Sequence, residues 1–196
     1  MFKALTAIAF LESGKIDPDE RIPCVGYLDS PNRYRCYVYS HFGVGHGETD
    51  LADALMQSCN VYFFANARKI GPDPMVLWAE RFGFGQPTGL DLPGEQPGEL
   101  PRPTATRNSG GASANRAARW QPGDTLGLSI GQSRLLVTPM QVARLMAAIA
   151  NGGKLVTPHV VRPELSSASA SGGENSPGDG ASLGDPQEIP GLQPGT

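Results

Sequence analysis

Apolar residues recur at helical spacing near the start of the chain and again around residue 78. Residues 2–13 are mostly apolar and are followed by Gly14, which predicts a helix that ends at this glycine. Residues 74–82 predict a second, shorter helix that the next glycines end. The aromatic residues here are expected in the core rather than in a ligand site. They are Trp78, Phe82 and Phe84.

Another helical pattern begins after Asp50. Asp50 predicts an N-cap, because its carboxylate can accept hydrogen bonds from the free N–H groups of a first turn, and Asp53 adds a second acidic residue there. The pattern runs from Leu51 to Gly71. Its periodicity leaves open whether the helix pauses at residues 58–60.

The best-formed helix signal starts at Thr138. Thr138, Pro139 and Gln141 combine an N-cap, a proline at the first helical position and a capping-box side chain. An apolar face follows at positions i, i+3, i+4 and i+7, formed by Val142, Leu145, Met146 and Ile149. The Asn-Gly-Gly sequence at 151–153 predicts the end of this helix.

The remaining segments carry no helical period. Residues 17–48 predict an ordered segment without a regular period that leaves the helical part of the chain. Residues 86–124, with Pro and Gly at short intervals, predict mostly loop. Residues 155–161 predict a short strand. Residues 166–196 are rich in Gly, Ser and Pro and contain no aromatic residue, so we expect disorder there.

Composition is ordinary for a globular domain. The chain has 196 residues, 39% of them hydrophobic, and a net charge of −3, so it is long enough for one core and has no basic block for nucleic acid. No apolar run approaches the roughly 18 residues of a membrane span, and the N-terminus does not have the pattern of a secretory signal. We therefore expect a domain at 1–165, a disordered segment at 166–196, and no signal or membrane segment.

Three stretches resemble the penicillin-binding transpeptidases, in the family's order. Residues 50–64 resemble the segment with the Ser-x-Asn motif, and residues 82–101 resemble the loop region that follows in class B members. Residues 120–158, with the run GDT…SIGQ…TPMQVA…ANGG, resemble the stretch before the last catalytic motif. The elongation-type (PBP2-like) members are the nearest. These members usually have Gly where this chain has Ser133. If that turn needs a positive φ, the serine lowers the stability of the fold by about 1 kcal/mol.

The resemblance implies roles for three residues. The family uses the motifs Ser-x-x-Lys, Ser-x-Asn and Lys-Thr-Gly. Lys3 matches the lysine that takes the nucleophile's proton, which puts the nucleophilic serine directly before Met1. Ser58 and Asn60 match the second motif, whose hydroxyl passes the proton to the leaving amine and whose carboxamide binds the substrate's peptide. The third motif is absent from the sequence, so we expect a chain truncated at both ends and inactive alone.

The implied fold is the penicillin-binding transpeptidase, β-lactamase-like fold, an α/β (α+β) domain of helices against an antiparallel sheet. This chain is expected to hold mainly its helical part. The implied reaction is acyl transfer from D-Ala-D-Ala stem peptides, which cross-links peptidoglycan without a cofactor, and β-lactam antibiotics would acylate the same serine. The implied parent protein is anchored in the cytoplasmic membrane, with this domain outside the cytoplasm in a cell-wall elongation complex and without a nucleic-acid partner.

Two other functions stay open at this point. A non-catalytic relative that binds peptidoglycan or a partner protein would form a stable, cooperatively melting fold at this length. A serine β-lactamase or β-lactam sensor shares the motifs, and a β-lactamase would differ from a transpeptidase in hydrolysing its acyl-enzyme quickly.

Three cysteines raise a separate question. Cys24, Cys36 and Cys59 are odd in number, which excludes complete pairing within the chain. Together with His46 they have the composition of a closed tetrahedral Cys₃His zinc site, although no Cys-x₂-Cys pair is present and His41 lies in the same region. A Cys24–Cys36 disulfide with Cys59 buried, or three free thiols, are the alternatives.

Overall fold

The computed structural model describes residues 1–103, 120–160 and 186–192. Within these ranges the chain forms helices joined to short antiparallel ribbons. The helices are α1 (Phe2–Glu12), α2 (Tyr37–Phe42), α3 (Leu51–Met56), α4 (Asn60–Ile70), α5 (Asp73–Arg81), α6 (Pro122–Ser129) and α7 (Pro139–Ala150). The strands are β1 (Ile22–Cys24), β2 (Tyr27–Ser30), β3 (Arg33–Arg35), β4 (Gly47–Thr49), β5 (Lys154–Leu155) and β6 (Gln187–Glu188). None of the described helices is long and apolar enough to cross a bilayer.

The core is centred on α1 and α4. Leu5, Phe10 and Phe63 are fully buried, and the Phe10 and Phe63 rings stack with their centroids 5.6 Å apart. Burying each such side chain contributes about 1.5–3 kcal/mol, so this contact holds the two helices together. Thr6 on α1 donates a hydrogen bond to the carbonyl of Ser129 on α6 at 2.9 Å, which adds α6 to the same layer.

The segment predicted as ordered but without a regular period folds into two β-ribbons and α2. β1 pairs antiparallel with β4, with Cys24 opposite Gly47. β2 pairs antiparallel with β3, with Tyr27 opposite Arg35. These pairings return the chain twice to the start of α4, so residues distant in sequence meet there.

The predicted helix after Asp50 is confirmed, and it does pause. The Asp50 carboxylate accepts a hydrogen bond from the Asp53 N–H at 2.9 Å, as an N-cap does. Helix α3 ends at Met56 and α4 begins at Asn60, because Ser58 has a φ of +54° and cannot continue a right-handed helix. The irregular backbone between the two helices contains the start of the Ser-x-Asn sequence.

Helix α7 confirms the predicted capping box. Thr138 accepts from the Gln141 N–H at 3.2 Å, while the Gln141 side chain accepts from the Thr138 N–H at 3.0 Å. The predicted apolar face is only partly buried. Leu145 is fully buried, but Met146 and Ile149 are 42% and 43% exposed. The buried face of α7 instead includes Gln141, whose side-chain amide donates hydrogen bonds to two carbonyls of the preceding loop.

Helix α6 was not predicted from the sequence. It starts at Pro122, at the end of the segment predicted to be mostly loop, and its two internal glycines hide its period. Two other expectations need correction. The predicted strand at 155–161 is reduced to Lys154–Leu155, paired with β6. Residues 186–192 were expected to be disordered, but they contain β6 and the buried Ile189. The rest of the segment 166–196 lies outside the described residues, and the domain boundary at 165 stays a prediction.

Candidate active site and thiol cluster

The amine of Lys3 meets both polar residues of the Ser-x-Asn sequence. Lys3 Nζ lies 2.9 Å from Ser58 Oγ, 2.7 Å from the Ser58 carbonyl oxygen and 2.7 Å from Asn60 Oδ1. The three residues come from the first turn of α1, the α3–α4 turn and the first residue of α4. The structure therefore brings together the three residues that the sequence singled out for acyl-transfer chemistry.

The local backbone explains why this turn presents its side chains to Lys3. The positive φ of Ser58 directs the chain back on itself, and the Cys59 N–H donates to the Ala54 carbonyl at 2.9 Å, which closes the end of α3. Asn60 is then oriented from its other side, since its Nδ2 donates to the Arg35 carbonyl at 2.9 Å. With both amide atoms engaged, the Asn60 carboxamide has one orientation that satisfies Lys3 and Arg35 together.

Burial sets the charge properties of Lys3. The amine is half-buried, and desolvation lowers the pKa of Lys3 below the usual value for lysine, while negative charge on the nearby Cys59 and Cys36 thiols opposes the shift. A lowered pKa increases the fraction of neutral amine near pH 7. Neutral amines accept protons, so this Lys3–Ser58–Asn60 cluster is able to receive a proton from a hydroxyl and pass it on through Ser58.

The three cysteines and His46 also converge on one point, which we call the thiol cluster. Cys24 Sγ lies 3.6 Å from Cys36 Sγ and 3.4 Å from His46 Nδ1, and Cys36 Sγ lies 3.8 Å from Cys59 Sγ. All four donor atoms are within 4.8 Å of one another. All three cysteines are buried free thiols in this structure, and the Cys24–Cys36 disulfide, one of the alternatives left open by the sequence, is not formed in it. His41 lies outside the cluster, with its ring stacked on Tyr37.

The fold positions these side chains through backbone contacts. Cys24 ends β1, and Gly45 packs so closely against the Cys24 carbonyl that a Cβ at Gly45 would clash with it. Cys36 Sγ accepts from the Val61 N–H at 3.4 Å, at the start of α4. Hydrogen bonds from the Cys36 and Cys59 thiols lower the pKa of the Cys24 thiol, which favours a thiolate there.

The thiol cluster and the candidate active site share one turn. Cys59 lies between Ser58 and Asn60 in sequence, and Cys36 follows Arg35, whose carbonyl orients Asn60. The role of Arg35 was not predicted from the sequence. Its contribution is a backbone carbonyl, which every residue type has, so no side-chain pattern signals it.

Comparison with known proteins gives a consistent result. Residues 1–172 match the family described as the penicillin binding protein transpeptidase domain. The chain is 36% identical over 163 residues to the peptidoglycan D,D-transpeptidase MrdA of Acinetobacter baumannii, which covers 82% of this chain and 23% of that protein. It is 34% identical to the MrdA of Haemophilus influenzae, again over 82% of this chain and 24% of that protein. The chain thus spans about a quarter of the length of these relatives.

Solved structures agree with the sequence relatives. A Pseudomonas aeruginosa PBP2 structure aligns with a TM-score of 0.68 and 36% identity, over 80% of this chain and 34% of that one. The penicillin-binding protein PBP2 from Helicobacter pylori aligns with a TM-score of 0.68 and 32% identity, over 80% and 28% of the two chains. These likenesses support the fold class expected from the motifs. The chain belongs to the family of penicillin-binding protein transpeptidase domains.

Proposed function

We propose that this chain is the part of a D,D-transpeptidase that handles protons and binds the substrate peptide during acyl transfer. The observation that carries the proposal is the Lys3 amine, held at 2.9 Å from Ser58 Oγ and 2.7 Å from Asn60 Oδ1. A lysine in this environment has its pKa lowered by burial, as a general base near neutral pH requires. The relatives named MrdA are D,D-transpeptidases, which supports the same reaction for this chain.

Each residue has one role in the proposal. A serine three residues before Lys3 attacks the carbonyl of a D-Ala-D-Ala stem peptide, and the Lys3 amine takes its proton. Ser58 passes that proton to the departing amine of D-Ala, while Asn60 hydrogen-bonds the substrate's peptide group. An amine from a neighbouring stem then resolves the acyl-enzyme into a cross-link. A β-lactam acylates the same serine and blocks it.

The setting of this reaction follows from its substrate. Peptidoglycan is built outside the cytoplasmic membrane, so we propose that the domain works there as part of a membrane-anchored parent protein. A cell-wall elongation complex is the proposed assembly. One solved relative is described as a complex between PBP2 and MreC from Helicobacter pylori, which supports an assembly of this kind.

Acylation by a fluorescent penicillin tests the function. In the full-length protein that contains these residues, we expect Lys3→Met to slow acylation at least about a hundredfold, as loss of a general base does. Lys15→Met, which alters an exposed lysine just after α1, is the matched control and should leave the rate unchanged. An unchanged rate in Lys3→Met refutes the role of Lys3.

The same assay separates the alternatives. A transpeptidase stays acylated for many minutes, whereas a β-lactamase releases the label quickly. Absence of labelling in a cooperatively folded full-length protein favours the non-catalytic binding function.

We further propose that the thiol cluster holds one structural Zn²⁺, with Cys24, Cys36, His46 and Cys59 as ligands. Tetrahedral zinc with bonds of about 2.3 Å separates two sulfur ligands by about 3.8 Å. The two Sγ–Sγ distances of 3.6 and 3.8 Å match this separation. A zinc ion there supplies no step of the reaction and ties β1 and the Ser58–Asn60 turn together.

Metal analysis tests the zinc proposal. The purified chain is expected to contain one zinc per molecule, and His46→Ala to lose it. His41→Ala is the control, because this nearby histidine lies outside the cluster. A zinc-free protein with a Cys24–Cys36 disulfide mapped by mass spectrometry refutes the proposal.

A further inference from the structure

A cleft of about 440 Å³ opens beside Asn60, which is one of its lining residues. Among its lining residues are Tyr34, Arg35, Tyr37, His41, Asn60 and Gln132. Clefts of this volume are in the range that binds small ligands or single peptide side groups. Because Asn60 belongs both to the candidate active site and to this wall, a peptide held by Asn60 reaches the cleft without a gap.

The cleft combines one arginine with hydrogen-bonding side chains. Arg35 lines it together with His41 and the hydroxyl-bearing Tyr34 and Tyr37, and no Asp or Glu is among its lining residues in the part of the chain that the structure describes. The Arg35 guanidinium forms no ion pair or hydrogen bond with any residue in 1–103, 120–160 or 186–192. Other arginines of this region are engaged, as Arg68 is by Asp29 at 2.6 Å.

The backbone of Arg35 is fixed, although its guanidinium has no partner among the described residues. Its carbonyl accepts the Asn60 Nδ2 hydrogen bond at 2.9 Å, and β3 pairs with β2. The neighbouring Tyr34 packs edge-on against Phe64 with ring centroids 5.7 Å apart. The fixed backbone thus places the base of the Arg35 side chain at the cleft, while the exposed guanidinium itself becomes ordered only when it binds an anion.

We propose that this cleft is a subsite for a carboxylate carried by the donor peptide, next to the segment that Asn60 binds. The inference rests on the proposed function, since it takes the ligand to be the stem peptide of that reaction. Arg35 binds the carboxylate as a charge-assisted pair, and the tyrosine hydroxyls and the Gln132 amide complete its hydrogen bonds. Arg35 is a specificity residue in this scheme, because it distinguishes peptides by one side group.

Three synthetic fluorescent pentapeptides test the subsite by anisotropy titration of the full-length protein that contains these residues. The first ends in D-Ala-D-Ala and has a side-chain carboxylate on the residue before it. The second has that carboxylate amidated, and the third keeps the carboxylate but ends in L-Ala-L-Ala. We expect the first to bind about tenfold more tightly than the second, and Arg35→Gln to abolish this difference.

Two further variants make the test specific. Arg35→Lys keeps the charge and should retain part of the preference, and Arg68→Gln removes an arginine outside the cleft and should retain all of it. Because Arg35 orients Asn60 through its carbonyl, these side-chain changes leave the Asn60 contact in place. Thermal melts report whether each variant is folded.

The outcomes separate the inference from the proposed function. Equal binding of the first two peptides, absence of binding by any peptide, or an undiminished preference in Arg35→Gln overturns the subsite. Equal binding of the D-Ala-D-Ala and L-Ala-L-Ala peptides counts against the proposed function alone. A carboxylate preference that depends on Arg35 supports the subsite in either case.

Discussion

The contact between Lys3 and Asn60 makes a quantitative prediction about their energetic coupling. Lys3→Met removes the amine, and Asn60→Ala removes both the Oδ1 acceptor and the Nδ2 bond to the Arg35 carbonyl. A hydrogen bond to a charged group contributes about 1.5–3 kcal/mol when well buried, and less where solvent reaches it. Lys3 is half-buried, so we expect a coupling energy of about 1–2 kcal/mol between the two substitutions.

A double-mutant cycle measured by urea unfolding checks this value. The free energies of unfolding of the wild type, both single variants and the double variant give the coupling. The control cycle pairs Lys3→Met with Lys15→Met, an exposed residue beyond the other end of α1, and should be additive within about 0.5 kcal/mol. A Lys3–Asn60 coupling as small as the control refutes the conclusion that the two side chains act as a unit.

Three other predictions follow from single features. Burial lowers the pKa of Lys3 in the folded chain. At pH values between the folded and the unfolded pKa of this lysine the unfolded chain binds more protons, so the free energy of unfolding rises with pH in this range. Urea unfolding at several pH values should find this rise in the wild type but not in Lys3→Met. Ser133 has a φ of +73° and donates to Asp124 at 2.9 Å. Ser133→Gly and Ser133→Ala both lose that bond, but thermal melts should find the glycine variant more stable by about 1 kcal/mol, and equal stability contradicts the strain. A Cβ at Gly45 would clash with the Cys24 carbonyl, so for the proposed zinc site Gly45→Ala should lower the zinc content found by metal analysis, and an unchanged content contradicts this role of Gly45.

The elements best predicted from sequence are those specified by local chemistry. The Asp50 cap and the Thr138 capping box need only residues three positions apart, and both form as expected. Helix α6 was missed because Gly123 and Gly127 weaken its period, although Pro122 after a capping Gln was a usable signal. Ser133 was recognised as a position of strain if φ were positive, and its φ is positive.

The sequence by itself determined the family, the main helices and the residue types that carry the proposed chemistry, because motifs and caps are encoded within a few neighbouring positions. Only the tertiary structure determines the distances between these residues. Lys3 meets Asn60 across 57 positions only because α1 packs against α4. Cys24, Cys36 and Cys59 meet only because two β-ribbons return to one helix end. Such contacts depend on the packing of whole elements, which no local pattern specifies, and so the cleft lined by Arg35 was visible only in the folded chain.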